Sequence, residues 1–348
     1  MKPIAIHFGA GALGRGLIIP FLMESGFDVV TVDNDSSLIT RLKESGQYEI
    51  LLTDNGEKQH ITILDALHPS DEALAVWLRR ASVITTSVRK ENLHFVAKQL
   101  KGLTPGTVIC CENIEHSGRY FAGLMQDAGI DPQDWSLPDC MVDRICSAKW
   151  PDSLMVETES WGSVCVQSSP KAFTIKKFAS VENIECSFQE KRILVNTYAD
   201  GISFLGQAAG LKYLYEAAQS KEINRDIADY MTLMKRYLQM GCGYETQYLE
   251  KMAEKHRQRL ANPQIKRSLE SVARNFLEKL TPSERFIYPL ISLQQRGVDI
   301  QPAIPFLNQL INGWAGLQTN SLQARSQALQ KINNGEIVDK LENSSSAS

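Results

Sequence analysis

The chain has 348 residues, which exceeds the usual size of one domain, so we expect two domains. A hydrophobic content of 43% and a charged content of 22% are typical of a globular protein. The formal net charge of −3 gives no electrostatic footprint for nucleic acid or an anionic membrane.

The sequence lacks the marks of export, membrane insertion and cysteine-rich metal binding. No apolar run approaches the length of about 18 residues that spans a bilayer, and no charged-then-apolar export signal is present at the start. Seven scattered cysteines form no C-x-x-C pair, which argues for a reducing compartment and against a zinc site. We therefore expect a cytoplasmic protein with no bound metal, no nucleic-acid partner and no membrane partner.

The first predicted element is an apolar strand at residues 4–8, which leads directly into a G-x-G-x-x-G pattern. Gly9 permits a tight turn, Gly11 lets the backbone approach a pyrophosphate, and Gly14 allows close packing of helix on strand. The following helix directs its free N–H groups at the phosphates. The pattern predicts a dinucleotide site, and Arg15 is expected to contribute to it.

The second predicted strand, residues 28–32, ends in Asp33, about 20 positions beyond the glycines, where an acidic residue holds the adenosine ribose. A carboxylate accepts hydrogen bonds from both ribose hydroxyls but repels a 2′-phosphate, and no arginine occurs at residues 34–37. The sequence therefore predicts NAD rather than NADP as the cofactor. The alternative is that Asp33 only caps the next helix, as Asp35 or Ser36 could.

Strand-like and helix-like segments alternate through the first half, which predicts an α/β domain with a doubly wound, mostly parallel sheet. The strand-like segments are residues 48–52, 61–64, 81–86 and 107–111, with 155–169 expected to complete the domain; the helix-like ones include 17–25, 38–44 and 90–100. Ligands bind beyond the carboxyl ends of such strands. The polar residues there become site candidates, with helix capping as the alternative: Thr85, Ser87, Glu112 and Asn113.

The second half is predicted to be a mostly α-helical domain. Its helix-like stretches are residues 193–209, 224–240, 244–262, 265–280, 286–295, 304–313 and 321–342. We therefore expect an NAD-binding Rossmann-type domain at residues 1–188, a helical substrate domain at 189–342, and a disordered serine-rich tail at 343–348.

Lys191 and Asn196 lie at the junction of the two predicted domains. A lysine in a buried setting loses its proton readily and can act as a general base, and an asparagine amide can hydrogen-bond a reacting carbonyl oxygen. Residues five apart do not share a stripe of an α-helix, although the first turns of a helix at a cleft could direct both inward. A solvated lysine at a helix start is the commoner meaning of such a pattern.

Several motifs together resemble the polyol-specific long-chain dehydrogenases, the mannitol dehydrogenase family, and most nearly its mannitol-1-phosphate 5-dehydrogenase branch. The resemblance covers nearly the whole chain. Its motifs are His7-Phe8-Gly9-Ala10-Gly11 with Gly14-Arg15-Gly16, Cys111-Glu112-Asn113, Val142-Asp143-Arg144-Ile145, Lys191 with Asn196-Thr197, Asn262-Pro263, Arg274 with Lys279-Leu280 and Arg285, and Pro289-Leu290.

The resemblance implies metal-independent hydride transfer between NAD and a secondary alcohol of an open-chain sugar alcohol or its phosphate. Mannitol 1-phosphate and fructose 6-phosphate are the first pair to test. By position, Lys191 matches the general base, and Asn113 and Asn196 match the pair that polarises the carbonyl oxygen. Arg274 and Lys279 match basic positions of the phosphate-handling branch. Arg144 matches a signature residue of the family. Its role could be to bind substrate or to form a buried salt bridge with Asp143 that braces the domain.

The resemblance fails at one catalytic position, because Ala199 stands where the family pattern Lys-x-x-x-x-Asn-x-x-His has histidine. His116 could supply a donor from another direction, although an exposed loop position is its commoner meaning. Ser271 and Glu278 also stand where further basic residues are expected.

These departures leave two alternatives open. One is a uronate or aldonate oxidoreductase of the same family, and the other is a non-catalytic NAD-binding relative. Nothing in the sequence demands more than a monomer or a small homo-oligomer.

Overall fold

A computed structural model describes residues 2–169 and 174–345. The chain folds into two compact units, Met1–Phe188 and Gln189–Ser348. None of the helices within the described residues is long and apolar enough to cross a membrane.

The first unit combines strands and helices in alternation. Its strands are β1 (Ile4–Phe8), β2 (Asp28–Val32), β3 (Gln47–Leu52), β4 (Lys58–Thr62), β5 (Asp65–Leu67), β6 (Ala81–Thr86), β7 (Val108–Cys110), β8 (Cys140–Asp143), β9 (Cys146–Ala148), β10 (Val156–Thr158), β11 (Ser163–Gln167) and β12 (Ala179–Val181). Its helices are α1 (Ile19–Glu24), α2 (Ser36–Ser45), α3 (Ala73–Arg80), α4 (Leu93–Gln99) and α5 (Ser117–Asp127), with a π-helical turn at Gly14–Ile18 and a 3₁₀ turn at Lys90–Asn92.

The central sheet has the order β5-β2-β1-β6-β7 within the described residues, and every pair in it is parallel. All five residues of β1 are buried, as expected for a strand covered on both faces. One face packs Ala5 and Val29 against α1 and α2, and the other packs Ile6 and Val30 against α3 and α4. The predicted doubly wound α/β domain is confirmed.

The remaining strands form two further sheets rather than extensions of the central one. Their orders are β4-β3-β10-β9 and β12-β11-β8. Residues 155–169 supply strands β10 and β11 of the first unit, as predicted. β10 pairs with β3 and β9, and β11 pairs with β8 and β12, so neither joins the central sheet. The pairing of β10 with β3, about 100 residues earlier in the chain, is one that local alternation does not reveal.

The second unit is mostly helical, as predicted. A short helix at the boundary, α6 (Ile184–Glu190), continues into a π-helical turn at Lys191–Thr197. The helices that follow are α7 (Tyr198–Ala208), α8 (Leu214–Gln219), α9 (Lys221–Cys242), α10 (Thr246–Leu260), α11 (Leu269–Val272), α12 (Phe276–Lys279), α13 (Tyr288–Gln295), α14 (Ile304–Gly316), α15 (Ser321–Ile332) and α16 (Gly335–Ser345), with a 3₁₀ turn at Gln301–Ala303.

Two predicted helices are each broken by an asparagine in the left-handed region. The stretch 265–280 divides into α11 and α12 around Asn275, whose φ is 56°. The stretch 321–342 divides into α15 and α16 at Asn333, whose φ is 44°. Asparagine tolerates this conformation better than most residues, so it can end a helix, as Asn333 does, or precede one, as Asn275 does, without glycine.

The predicted disordered tail, residues 343–348, lies only partly within the described residues. Helix α16 continues to Ser345, so residues 343–345 are helical. Residues 346–348 lie outside the described residues.

Candidate active site

The glycine turn after β1 is fixed by its own packing. Gly9 has φ 108°, and its N–H donates to the carbonyl of Val32 at 2.7 Å. A Cβ on Gly9 would lie 2.5 Å from the Ser87 carbonyl oxygen, and one on Gly14 would lie 1.9 Å from the Gly9 carbonyl oxygen. The protein itself therefore requires glycine at positions 9 and 14.

Gly11 is different, because its surroundings in the protein do not require glycine. A Cβ placed there would meet no atom of the described residues within 4 Å, and the residue is exposed. A position that must lack a side chain for a ligand to approach has this geometry. The turn therefore fits a dinucleotide pyrophosphate in front of Gly11.

A buried polar chain supports the turn from below, and its central member is His7. His7 Nδ1 lies 2.8 Å from Thr85 Oγ1, and His7 Nε2 lies 2.9 Å from Ser87 Oγ. Ser87 Oγ in turn donates to the Gly9 carbonyl at 3.1 Å. Burial lowers the pKa of His7 to about 3, although a hydrogen bond to the Gly9 backbone opposes this shift. The neutral imidazole thus links β6 to the turn, and Ser87, predicted to bind cofactor, holds the turn in shape.

Asp33 lies against the same turn, at the end of β2. Its Oδ2 accepts the Ala10 N–H at 2.7 Å, and its Oδ1 accepts the Asp35 N–H at 3.0 Å. The cap of α2 is Asp35, which accepts the Leu38 N–H at 2.9 Å. A carboxylate has about four acceptor positions, so Asp33 keeps capacity for ribose hydroxyls while it is bonded to the glycine turn.

Arg15 is turned into the protein interior. Its side chain is 1% exposed, and its Nε donates to the Ala10 carbonyl at 2.7 Å. Its Nη1 donates to the Leu154 carbonyl, and its guanidinium lies 5.8 Å from the centre of the Tyr48 ring. Desolvation lowers the pKa of Arg15. Arg15 therefore braces the glycine turn through the Ala10 carbonyl, and the sequence-based prediction that it contributes to the dinucleotide site would be fulfilled through this support.

Glu112 is likewise a buried support. Its carboxylate is 4% exposed and accepts the Thr86 hydroxyl, at 2.8 Å to Oε2, and the Val88 N–H, at 2.9 Å to Oε1. Burial raises the pKa of Glu112, and these hydrogen bonds oppose the shift. Glu112 fixes the backbone that follows β6. Any effect of Glu112 on cofactor affinity would therefore act through this backbone segment rather than by direct contact.

Asn113 and His116 follow β7 with different surroundings. Asn113 is exposed in the first unit. His116 has both ring nitrogens engaged, with Nδ1 at 3.3 Å from Asp139 Oδ2 and Nε2 at 3.2 Å from Glu185 Oε1. This arrangement does not support His116 as a substitute for the family histidine.

Arg144 is held by backbone carbonyls of its own unit. Its Nε donates to the carbonyl of Glu159 at 2.8 Å, its Nη1 to that of Gly16 at 2.8 Å, and its Nη2 to that of Ser160 at 3.2 Å. Desolvation lowers the pKa of Arg144. The bracing interpretation is favoured over a substrate role, and the partners are these carbonyls.

Lys191 and Asn196 lie within one segment of π-helix in the second unit, Lys191–Thr197, and both are partly buried. In an α-helix, residues five apart are separated by about 140° around the axis. In a π-helix the hydrogen bonds run from i to i+5, so residues five apart stack on one face. The Thr197 hydroxyl, which donates to the Arg192 carbonyl at 2.8 Å, follows the same spacing. The π-helical turn thus replaces the α-helical register in which Lys191 and Asn196 would occupy different stripes.

A buried carboxylate in α7 collects basic side chains from the segment after α11. Asp200 is 5% exposed, with Oδ1 2.8 Å from Lys279 Nζ and Oδ2 3.0 Å from Arg285 Nη1. Burial raises the pKa of Asp200, and the two cations oppose that shift. Arg285 Nε is buried with no hydrogen-bond partner among the described residues.

Two further arginines lie near this group. Desolvation lowers the pKa of Arg267, the charge of Asp200 raises it, and the charge of Arg274 lowers it again. Arg274 is exposed. Asp200, together with Glu284, whose Oε2 lies 3.7 Å from Arg285 Nε, thus faces a surplus of positive charge. The basic residues around Asp200 are Arg267, Arg274, Lys279 and Arg285, which we call the Asp200 cluster. Such a surplus suits an anionic ligand.

Sequence reasoning did not assign roles to His7, Asp200 or Arg285. A histidine within an apolar strand and an aspartate within an apolar helix were the available signals. Within residues 2–169 and 174–345, no group of three or more His, Cys, Asp or Glu side chains is placed to hold a metal ion.

Two family models match the chain over most of its length. The "Mannitol dehydrogenase Rossmann domain" covers residues 3–177, and the "Mannitol dehydrogenase C-terminal domain" covers residues 186–340.

Similar proteins and solved structures agree with this match. Proteins named mannitol-1-phosphate 5-dehydrogenase include one from Emericella nidulans, 30% identical over 88% of this chain and 85% of its own length. Another, from Lactiplantibacillus plantarum, is 27% identical over the same shares. A substrate-free D-sorbitol dehydrogenase has a TM-score of 0.81 at 14% identity, covering 98% of this chain and 92% of its own. The mannitol 2-dehydrogenase of Pseudomonas fluorescens, in complex with NAD and D-mannitol, has a TM-score of 0.65 at 15% identity over 99% and 91%. At these identities, the two structures support the fold.

Proposed function

The chain belongs to the mannitol dehydrogenase family, and from this we propose that it interconverts a sugar alcohol phosphate and the corresponding ketose phosphate. It is an NAD-dependent oxidoreductase that acts on a CH–OH group. Mannitol 1-phosphate and fructose 6-phosphate are the proposed pair, because relatives along most of the chain are named for mannitol 1-phosphate. The observation that carries the proposal is the Asp200 cluster, in the same unit as Lys191 and Asn196.

The proposed chemistry separates proton transfer from hydride transfer. NAD, when bound, supplies the hydride acceptor. Lys191 accepts the proton of the substrate hydroxyl, which leaves the electron pair on oxygen to form the carbonyl as hydride departs from carbon. Asn113 and Asn196 donate amide hydrogen bonds to the same oxygen, and these bonds strengthen as negative charge develops there. In the reverse direction, protonated Lys191 returns the proton.

The Asp200 cluster supports a phosphorylated substrate on electrostatic grounds. Lys279 and Arg285 share the Asp200 carboxylate, Glu284 offers Arg285 a second one, and Arg267 and Arg274 add further positive charge. Arg285 retains a buried donor, Nε, whose ion-pair distance to Glu284 Oε2 is 3.7 Å. That distance is too long for a hydrogen bond. Phosphate oxygens are strong acceptors for such donors.

The test is turnover with a panel of mannitol, mannitol 1-phosphate, glucitol 6-phosphate and aldonates, followed by NADH absorbance. The proposal predicts a kcat/KM for mannitol 1-phosphate well above that for mannitol. Faster turnover of an aldonate would identify the uronate or aldonate alternative. NAD binding without turnover of any substrate would identify a non-catalytic relative. In that case the replacement of the family histidine by Ala199, which is 7% exposed, would account for the loss of activity.

The Lys279→Met variant is expected to raise the KM for mannitol 1-phosphate about 10- to 100-fold, since a charge-assisted hydrogen bond contributes about 1.5–3 kcal/mol. Its kcat/KM for unphosphorylated mannitol should change by less than about threefold. Lys235→Met is the matched control, because Lys235 is also paired with a carboxylate of the second unit, that of Glu250. Equal losses with both substrates would contradict a phosphate role for Lys279.

The Asp33→Asn variant is expected to lower the ratio of the NADP dissociation constant to the NAD dissociation constant by about tenfold or more. The reason is that it removes one negative charge next to the 2′ position of the adenosine ribose. The asparagine oxygen can still accept the Ala10 N–H. Calorimetric titration with both dinucleotides measures the ratio. Asp65→Asn is the control, because Asp65 pairs with Val30 within β2 and lies outside the dinucleotide motif. An unchanged ratio would argue that Asp33 serves only the turn.

A further inference from the structure

The hairpin formed by β9 and β10 packs directly on the helix that follows the glycine turn. A Cβ on Gly16 would lie 2.8 Å from Cys146 Sγ and 3.0 Å from Val156 Cγ1. The hairpin loop, residues 149–155, is closed by a hydrogen bond from the Lys149 N–H to the Met155 carbonyl at 3.0 Å. Although it lies more than 100 residues further along the chain, this loop is part of the surroundings of the dinucleotide site.

Two hydrogen bonds fasten the loop to the two halves of the dinucleotide motif. The Leu154 carbonyl accepts from Arg15, which directly follows the glycines. The Trp150 indole N–H donates to Asp35 Oδ2 at 2.9 Å, two residues beyond Asp33.

The second bond completes a continuous chain of contacts through the candidate ribose site. Trp150 holds the Asp35 side chain, the Asp35 N–H donates to Asp33 Oδ1 at 3.0 Å, and Asp33 Oδ2 accepts the Ala10 N–H. Trp150 is partly exposed and packs on the core of the first unit. Its ring therefore lies beside the Asp35 carboxylate, two residues beyond Asp33.

We propose that Trp150 is a positioning residue for the adenosine half of NAD. Its N–H fixes Asp35, and through it the Asp33 carboxylate, while its partly exposed ring forms a wall against which adenine stacks. This inference rests on the proposed assignment of Asp33 to the ribose. An aromatic side chain offers any base a stacking surface, and the indole N–H restrains the ring in place.

Trp77 provides a matched comparison in the same unit. Its indole N–H also donates to an aspartate, Asp65 Oδ2, at 3.3 Å, and its ring also packs partly buried on a core cluster. Asp65 begins β5, whereas Asp33 follows the end of β2, which pairs in parallel with β5. Asp65 lies opposite Val30, within β2, and belongs to no dinucleotide motif. Trp77 therefore shares the local chemistry of Trp150 beside a carboxylate that has no predicted role in binding a ligand.

The experiment titrates Trp150→Phe, Trp150→Ala and Trp77→Phe with ADP-ribose, NAD and nicotinamide mononucleotide, by calorimetry and by tryptophan fluorescence. Trp150→Ala should raise the dissociation constants of ADP-ribose and NAD about tenfold. Trp150→Phe, which loses the N–H but keeps a ring, should raise them about threefold. Affinity for nicotinamide mononucleotide should not change. Quenching of tryptophan fluorescence by ADP-ribose should be lost in Trp150→Phe and kept in Trp77→Phe.

A general loss of packing would weaken all three ligands together, which would overturn the inference. Unchanged ADP-ribose affinity and unchanged fluorescence quenching in Trp150→Phe would also overturn the inference. This variant provides the test if Trp150→Ala does not fold. Asp33→Asn, titrated in parallel with ADP-ribose, separates the two assignments. Weakening by Asp33→Asn alone would reject only the role of Trp150, whereas no weakening by any of these variants would reject the ribose assignment as well.

Discussion

Replacing Lys191 by methionine is expected to lower turnover about 10²- to 10⁴-fold, the usual contribution of a positioned general base. Methionine keeps the aliphatic part of the side chain but cannot accept a proton. The dissociation constant for NAD should stay within about twofold, because the glycine turn and Asp33 belong to the first unit. Steady-state kinetics with mannitol 1-phosphate, together with calorimetric titration of NAD, measures both quantities.

The matched control is Arg192→Met, which removes a neighbouring cation from the same π-helical turn. It should leave turnover within about threefold of the parent, since the proposed proton transfer gives Arg192 no part. A proton-transfer role also predicts that added primary amines restore part of the activity of Lys191→Ala. Loss of activity in both variants without amine rescue would point to disruption of the turn, and full activity of Lys191→Met would remove lysine from the mechanism.

The relative placement of Lys191 and Asn196 on their helix could not be predicted from the sequence. The residue types and spacing were visible, but an α-helical register assigns them to different stripes. The single π turn that stacks them depends on i to i+5 hydrogen bonds, and its sequence, Lys-Arg-Ile-Leu-Val-Asn-Thr, contains no residue that demands that pattern. Such widened turns are frequent at functional sites, which agrees with the roles proposed for both residues.

The fold itself was predictable where signals were local. The apolar β1, the glycines and Asp33 occur within one short segment, so the start of the parallel sheet followed from the sequence. The placement of β3 with β10 depended on partners about 100 residues away, and no local pattern encodes that. The break between α11 and α12 depended on the backbone conformation of Asn275, which helical propensity does not reveal.

The buried polar residues form a third class, because their meaning depends on what surrounds them. His7 and Asp200 each interrupt an apolar element, which marks them as unusual without giving them partners. Only the tertiary structure shows that His7 joins Thr85 to Ser87, and that Asp200 joins Lys279 to Arg285. An unpartnered polar group in the same places would be destabilising.

Replacing Gly11 by valine is expected to raise the dissociation constant for NAD at least about 100-fold while leaving the fold intact. The side chain would occupy the space through which the pyrophosphate approaches the backbone. In the protein alone, a Cβ at this position meets no atom of the described residues within 4 Å, so the melting temperature should change by only a few degrees, about what a surface substitution causes. Calorimetric titration with NAD and a thermal melt without NAD measure the two effects on one sample.

Two other glycines of the first unit make the prediction specific. Gly14→Ala places its Cβ 1.9 Å from the Gly9 carbonyl oxygen and 2.6 Å from His7 Nε2, so it should lower the melting temperature strongly, in contrast to Gly11→Val. Gly106→Val is the control for valine at an exposed glycine, since Gly106 has equally open surroundings and precedes β7, at the opposite end of the sheet from the glycine turn. If Gly11→Val bound NAD as tightly as Gly106→Val, the pyrophosphate could not approach the backbone at Gly11. If Gly11→Val melted as early as Gly14→Ala, the glycine would serve the fold rather than the ligand.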